Sequence, residues 1–186
     1  MKLKISYNSP VILTYVILCG GLLLLDRSTA GAVMDMLALR RAVSFQLLTY
    51  FFVHADISHL TGNMMLMLLV GPVVEEKYGS GRLAAMIFVT GALTGFLNAA
   101  IFHVGIIGAS GIVFMLIVLS AFTNIQAGKI PLTLILVVIC YLGNEVITGV
   151  LSKDDVSQFG HIAGGVMGLI FGFVFMYGNK KSEKKA

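Results

Sequence analysis

The chain has 186 residues, of which 58% are hydrophobic and 12% charged, and its mean hydropathy is +0.94. A soluble domain of this size carries about twice that charged fraction, so the composition excludes one and reads as a membrane protein. The net charge of +4 sits in short loops and at the tail, where it sets orientation in a bilayer and does not build a nucleic-acid surface.

A hydrocarbon core about 30 Å thick needs about 20 apolar residues per helix. Six stretches approach that length. The first lies near Pro10 to Leu25, the second about Ile57 to Val74, and the third about Leu83 to Phe102. The fourth begins near Ser110 and ends by Gln126, the fifth covers about Pro131 to Leu151, and the sixth about Val156 to Tyr177. Lys2, Lys4, the apolar run from Val11 and the string Ala30-Gly31-Ala32 also imitate a secretory signal with its cleavage site. The even span count is met when that segment is retained. The expected organisation is a cytoplasmic N-terminus over residues 1–9, one six-span domain over 10–177 and a basic tail over 178–186. The 21 glycines against 3 prolines suit helices packed at close range. Cys19 and Cys140 lie in apolar runs without partner spacing and read as small buried residues.

One side of this arrangement holds Lys2, Lys4, Lys77, Arg82, Lys129, Lys180, Lys181, Lys184 and Lys185; the other holds Arg27, Arg40, Arg41 and Lys153. The richer side is expected to be cytoplasmic, with both termini inside. The first external loop, about Asp26 to His54, is half apolar and is expected to lie in the outer interface. From Ser110 to Gln126 a helix rises only ~25 Å. If its lower end meets the cytoplasmic interface, Ser110 lies below the outer membrane plane. The non-helical Gly105 to Ala109 before it then needs protein or a water-filled cavity beside it.

Three stretches carry polar residues that an apolar span tolerates poorly. "HADISHLTGN" contains His54, His59 and Asn63, the last two sharing a helix face at i,i+4. Asp56 or Ser58 can cap that helix. His54 and His59 stand about 140° apart around a helix and no H-E-x-x-H string is present, so metal binding is not expected. His59 and Asn63 are either an interhelical hydrogen-bond pair or two donors aimed at an anion. "GASG" places Ser110 between Gly108 and Gly111. "GHIAGGVMG" places His161 near the start of the sixth span, with Gly160, Gly164, Gly168 and Gly172 at every fourth position. That stripe lets another backbone approach closely. His161 is either a packed histidine bonded to a carbonyl or a functional group, the default reading for an ionisable residue inside a membrane.

If the glycine stripe packs on the fourth span, the Ser110 hydroxyl comes within reach of the His161 imidazole. Serine is a weak nucleophile that needs such a base, and the resulting oxyanion needs donors. His59, Asn63 and the Ser110 amide qualify. No third acid is evident, since Asp154 and Asp155 read as a solvated loop, so a dyad is expected. The string departs from the G-x-S-x-G elbow of soluble hydrolases, because Ile112 follows where a glycine is required.

These motifs, in this order on the second, fourth and sixth spans, resemble those of the rhomboid intramembrane serine proteases. The likeness covers about Phe45 to Tyr177, with "EEKYGSGR" similar to the family's second cytoplasmic turn. The resemblance implies an all-α, six-span bundle with a short fourth span and a long first external loop. It implies Ser110 as nucleophile and His161 as general base. His59, Asn63 and the Ser110 amide would form the oxyanion hole. His54 resembles an additional histidine that supports the site, Gly108 and Gly111 the glycines shaping the serine turn, and Gly164 and Gly168 close-packing positions beside Gly160. Glu76 resembles a structural acid in the cytoplasmic turn. The family cleaves transmembrane segments near their outer ends, without metal or cofactor. The partners implied are the lipid bilayer and single-span or multi-span membrane proteins, with no nucleic acid.

Two departures stand out. Phe45 and Gln46 occupy the register where the family often has Trp-Arg, and Phe114 stands where a tyrosine often packs on the catalytic imidazole. Phe114 keeps the ring and loses the hydroxyl. Asn144 and Glu145 have no family role; they line the water cavity or gate, or else turn outward or hold a proton. His103 is expected at the outer interface. A catalytically inactive rhomboid-like binder would lack the serine or the histidine, and both are present. A small transporter would show paired charges or inverted repeats, and neither is seen. No motif speaks to the natural substrate or the oligomeric state.

Overall fold

A computed structural model describes residues 6–40, 44–103, 105–123, 131–143, 147 and 155–183. These residues form seven α-helices: α1 (Pro10–Ser28), α2 (Ala32–Leu37), α3 (Ile57–Tyr78), α4 (Ser80–Ile101), α5 (Ser110–Ser120), α6 (Leu132–Val137) and α7 (Asp155–Glu183). Two short 3-10 turns, Phe45–Leu48 and Tyr50–Phe52, lie between α2 and α3, and α6 runs on as a π-helical turn, Val138–Leu142.

Among the described residues, four helical stretches are long and apolar enough to cross a bilayer: Pro10–Ser28, Ile57–Tyr78, Ser80–Ile101 and Gln158–Met176. The chain is therefore an all-helical, multi-pass membrane protein. The fourth expected span is shorter than its apolar run suggests. Among its described residues the helix runs from Ser110 to Ser120, a rise of ~16 Å. Its chain turns where the Ser120 hydroxyl bonds back to Ile117 and the Thr123 hydroxyl to Ser120. Ile112, Val113 and Met115 to Leu119 are all buried. A helix apolar on every side and this short is a core helix wrapped by its neighbours, so its length is set by them and not by the bilayer. The fifth expected span reaches Gly143; Asn144 and Glu145 lie outside the described residues.

Local chemistry fixes the helix ends. Asp56, one of the two capping candidates, accepts from the His59 amide at 2.8 Å and starts α3. Pro10 opens α1 with its pre-set φ. The next two amides, of Val11 and Ile12, donate to the Glu75 carboxylate at 3.0 and 3.1 Å. Ser80 donates to the same carboxylate at 2.7 Å. One buried acid thus ties α1, α3 and α4 together. The structural acid of this turn is Glu75 and not Glu76, which is exposed. One step along a helix is about 100° of rotation, and only the position of α1 decides which of the two turns inward.

The glycine stripe of α7 lies on α5. A Cβ on Gly164 would stand 2.6 Å from the carbonyl carbon of Gly111, and one on Gly168 would stand 2.6 Å from the Met115 oxygen. A Cβ on Gly111 would in turn meet the Gly160 oxygen at 3.0 Å. The loop between α2 and α3 is pinned to the segment before α5 by two backbone bonds, from the Ile106 amide to Leu39 at 2.9 Å and from the Gly108 amide to Tyr50 at 3.1 Å. Met36 near the end of α2 and Phe45 and Leu48 on this loop are exposed, which suits a segment seated in an interface. Cys19 is buried, but Cys140 is exposed on the outer face of its helix. Sequence cannot separate these cases, because a lipid-facing position is as apolar as a core position. His103 follows α4 at φ +55° and is exposed.

Candidate active site

Ser110 is the first residue of α5. Two residues earlier Gly108 turns the chain at φ +94°, a conformation that strains any side chain. Space demands glycine there as well. A Cβ on Gly108 would stand 2.6 Å from both Cε1 and Nε2 of His59. The His59 imidazole therefore lies against the turn that presents Ser110. Asn63, one turn below on the same face of α3, is buried, and its amide donates to the His59 carbonyl at 3.1 Å.

Phe114 lies one turn after Ser110, so the two share a face of α5. Phe114 stacks on His161, with ring centroids 4.4 Å apart and planes 4° from parallel. That stack, with the Gly111–Gly160 approach, sets the imidazole beside the face of α5 that carries the serine. The two histidine-bearing helices thus flank Ser110, α3 through His59 and α7 through His161. His54 is nearly fully buried, and its ring meets that of His59 edge-on at 5.0 Å.

His54 precedes α3, and its surroundings hold it neutral. Burial first, and the His59 ring second, push its imidazole down to about 4, against a smaller opposing pull from the Phe52 backbone. An unfolded histidine takes its proton near pH 6.5. Between these values the unfolded chain binds a proton that the folded chain refuses. The stabilisation from neutral His54 is therefore present above about pH 6.5 and lost as the pH falls toward 4. The thermal midpoint in detergent is expected to drop across this window, and to drop less in His54→Phe. Identical pH profiles for the two proteins would contradict this role.

A cavity of about 270 Å³ opens at the serine, lined by Ser110, His59, Gly108, Gly160, Thr90 and Thr94. Thr90 and Thr94 are buried, and neither hydroxyl bonds to a described residue. Polar groups of this kind around a space of this size suit bound water. Sequence reasoning missed these threonines. Their signal was spacing: Thr90, Thr94 and Asn98 recur every fourth residue along α4 and are all buried. Among the described residues, no three His, Cys, Asp or Glu side chains converge as metal ligands would.

A family model described as Rhomboid domain matches residues 41–178. The chain is 28% identical over 169 residues to Rhomboid-related protein 1 of Caenorhabditis elegans, covering 86% of this chain and 48% of that protein. It is 31% identical over 140 residues to RHOMBOID-like protein 4 of Arabidopsis thaliana, covering 71% of this chain and 34% of that one. It is 31% identical over 140 residues to Rhomboid-like protease 2 of Toxoplasma gondii, covering 69% of this chain and 46% of that one. The chain thus spans half or less of each of these relatives.

Proposed function

Since the chain belongs to the rhomboid family, we propose that it is an intramembrane serine endopeptidase acting through a Ser110–His161 dyad. The observation that carries the reading is the seating of α7 on α5 through glycine. It stacks His161 on Phe114, one turn from a serine that opens onto a polar cavity.

In the proposed reaction Ser110 Oγ attacks the substrate carbonyl carbon while its proton passes to His161. The oxyanion takes hydrogen bonds from His59, Asn63 and the Ser110 amide. The C–N bond then breaks, and the imidazolium returns the proton to the leaving amine. This leaves an ester on Ser110. A water from the cavity gives a proton to His161 and attacks the ester; the imidazolium returns that proton to Ser110 Oγ as the ester C–O bond breaks, releasing the carboxylic acid and the free serine. A substrate helix must unwind to offer its carbonyl, so glycine and other weak helix formers near the cut lower the cost.

The same reading gives six spans, with α5 as the short fourth and α6 opening the fifth. The basic end, with both termini, faces the cytoplasm, and the cavity opens to the extracytoplasmic side of the cell membrane. Substrates are single-span or multi-span membrane proteins. The test is labelling of the purified protein by a fluorophosphonate, which bonds only to an activated serine. The expected result is one adduct, on Ser110, absent in Ser110→Ala. An unlabelled wild type, as an inactive binder would give, overturns the reading.

A further inference from the structure

Ser9 stands at the N-cap of α1, where a serine ordinarily accepts from the amides two and three residues on. Its hydroxyl caps nothing. Those two amides, of Val11 and Ile12, donate to the Glu75 carboxylate instead. Ser9 is nevertheless only 2% exposed, and its hydroxyl bonds to no described residue. A buried hydroxyl without a partner is costly, so the surroundings of this one bear on what could occupy them.

Ser9 lines a second cavity, of about 560 Å³, together with Asn8, Pro72, Val73, Glu76 and Ser80. The cavity lies between the start of α1 and the end of α3. The 22 residues of α3 rise about 33 Å, against a hydrocarbon core of about 30 Å. His59 near the start of α3 lies against the serine turn, so the last turn of α3 stands in the opposite headgroup layer.

The charge around this cavity is simple. Glu75 also borders it, but its carboxylate is engaged by α1 and Ser80. Glu76 is exposed and forms no ion pair among the described residues. The cavity thus offers one unengaged carboxylate, the Asn8 carboxamide and the Ser9 hydroxyl. That set suits a single positive charge carrying several N–H donors. Pro72 and Val73 form an apolar wall. Val73, Leu69 and Met65 are all exposed and recur every fourth residue, so they make one strip along α3 that starts at the cavity.

We propose that this cavity binds the primary ammonium headgroup of an aminophospholipid. The ammonium donates to the Glu76 carboxylate, the Asn8 carboxamide oxygen and the Ser9 hydroxyl oxygen, and an acyl chain lies along Val73, Leu69 and Met65. An inorganic cation would leave most of the space and the whole apolar strip unused. The site is separate from the serine chemistry, and its test needs no turnover.

The test is native mass spectrometry of the full-length protein released from mixed micelles of phosphatidylethanolamine and phosphatidylcholine with identical acyl chains in equal amounts. The two lipids differ only in N-methylation, which removes the N–H donors. The wild type is expected to retain phosphatidylethanolamine over phosphatidylcholine by about tenfold, the discrimination given by one charge-assisted hydrogen bond. The preference should fall toward unity in Glu76→Gln and drop severalfold in Ser9→Ala. It should persist in Asp35→Asn, which alters an exposed carboxylate at the other end of the bundle. Unfolding midpoints in lipid-free detergent should match for the wild type and Glu76→Gln, and should Ser9→Ala fail to fold, Glu76→Gln reads out the same site. Equal retention of the two lipids by the wild type, an undiminished preference in Glu76→Gln, or an equal loss in Asp35→Asn would overturn the proposal. So would displacement of the lipid by magnesium chloride but not by sodium chloride at equal ionic strength, which would mark a divalent-cation site.

Discussion

Gly164→Ala is expected to lower kcat by about 10²-fold and to destabilise the protein by about 1–3 kcal/mol. The added carbon meets the Gly111 backbone, 2.6 Å from the carbonyl carbon and closer still to the oxygen. Backbone atoms cannot rotate aside as a side chain can, so the helices must part by roughly 1 Å to restore ordinary contact. Gly164 is three residues from His161, and Gly111 directly follows Ser110. The separation therefore falls on the distance between base and nucleophile. Alanine is the better helix former by about 1 kcal/mol, so a loss cannot come from propensity. Gly62→Ala supplies the control, because a Cβ there meets nothing within 4 Å and should be neutral or slightly stabilising. Turnover of a single-span reporter and unfolding midpoints in detergent measure both effects. An unchanged kcat in Gly164→Ala would remove the α5–α7 contact from the account of the site.

Glu75→Ala is expected to cost about 3–5 kcal/mol, the largest stability loss from any single surface-remote charge described above. The substitution strands the amides of Val11 and Ile12 and the hydroxyl of Ser80, all now bonded to that carboxylate. It also removes the negative charge that faces the positive end of the α1 dipole. Glu75→Gln keeps one acceptor oxygen and should recover part of the loss. Glu76→Ala should stay within about 0.5 kcal/mol, because its side chain is exposed. Chemical unfolding in detergent distinguishes the three. Equal losses at positions 75 and 76 would contradict the assignment of Glu75 as the tie.

The site was more legible in the chain than its supports were. Ser110, His59, Asn63 and His161 stand out because ionisable and polar groups are expensive inside apolar spans, and the glycines at every fourth residue of α7 announce a close approach. Which of two adjacent acids turns inward was not legible. That depends on α1, more than 60 residues away in the chain. The extent of α5 was misjudged for a related reason. Its apolar run is compatible with lipid or with protein on all sides, and only the assembled bundle shows that protein surrounds it. Thr90 and Thr94 passed unnoticed because hydroxyls are common in membrane helices. Their meaning comes from the cavity they line. Phe114, by contrast, is marked by its place one turn after the serine, and the structure stacks it on His161.

The central claim is that Ser110 and His161 together cut a membrane-embedded peptide bond. It is tested most directly by incubating a single-span reporter in vesicles with the wild type, Ser110→Ala and His161→Ala, and sizing the products by mass. The account predicts one discrete cut near the extracytoplasmic end of the reporter helix with the wild type and none with either variant; cleavage at the same bond by all three would contradict it.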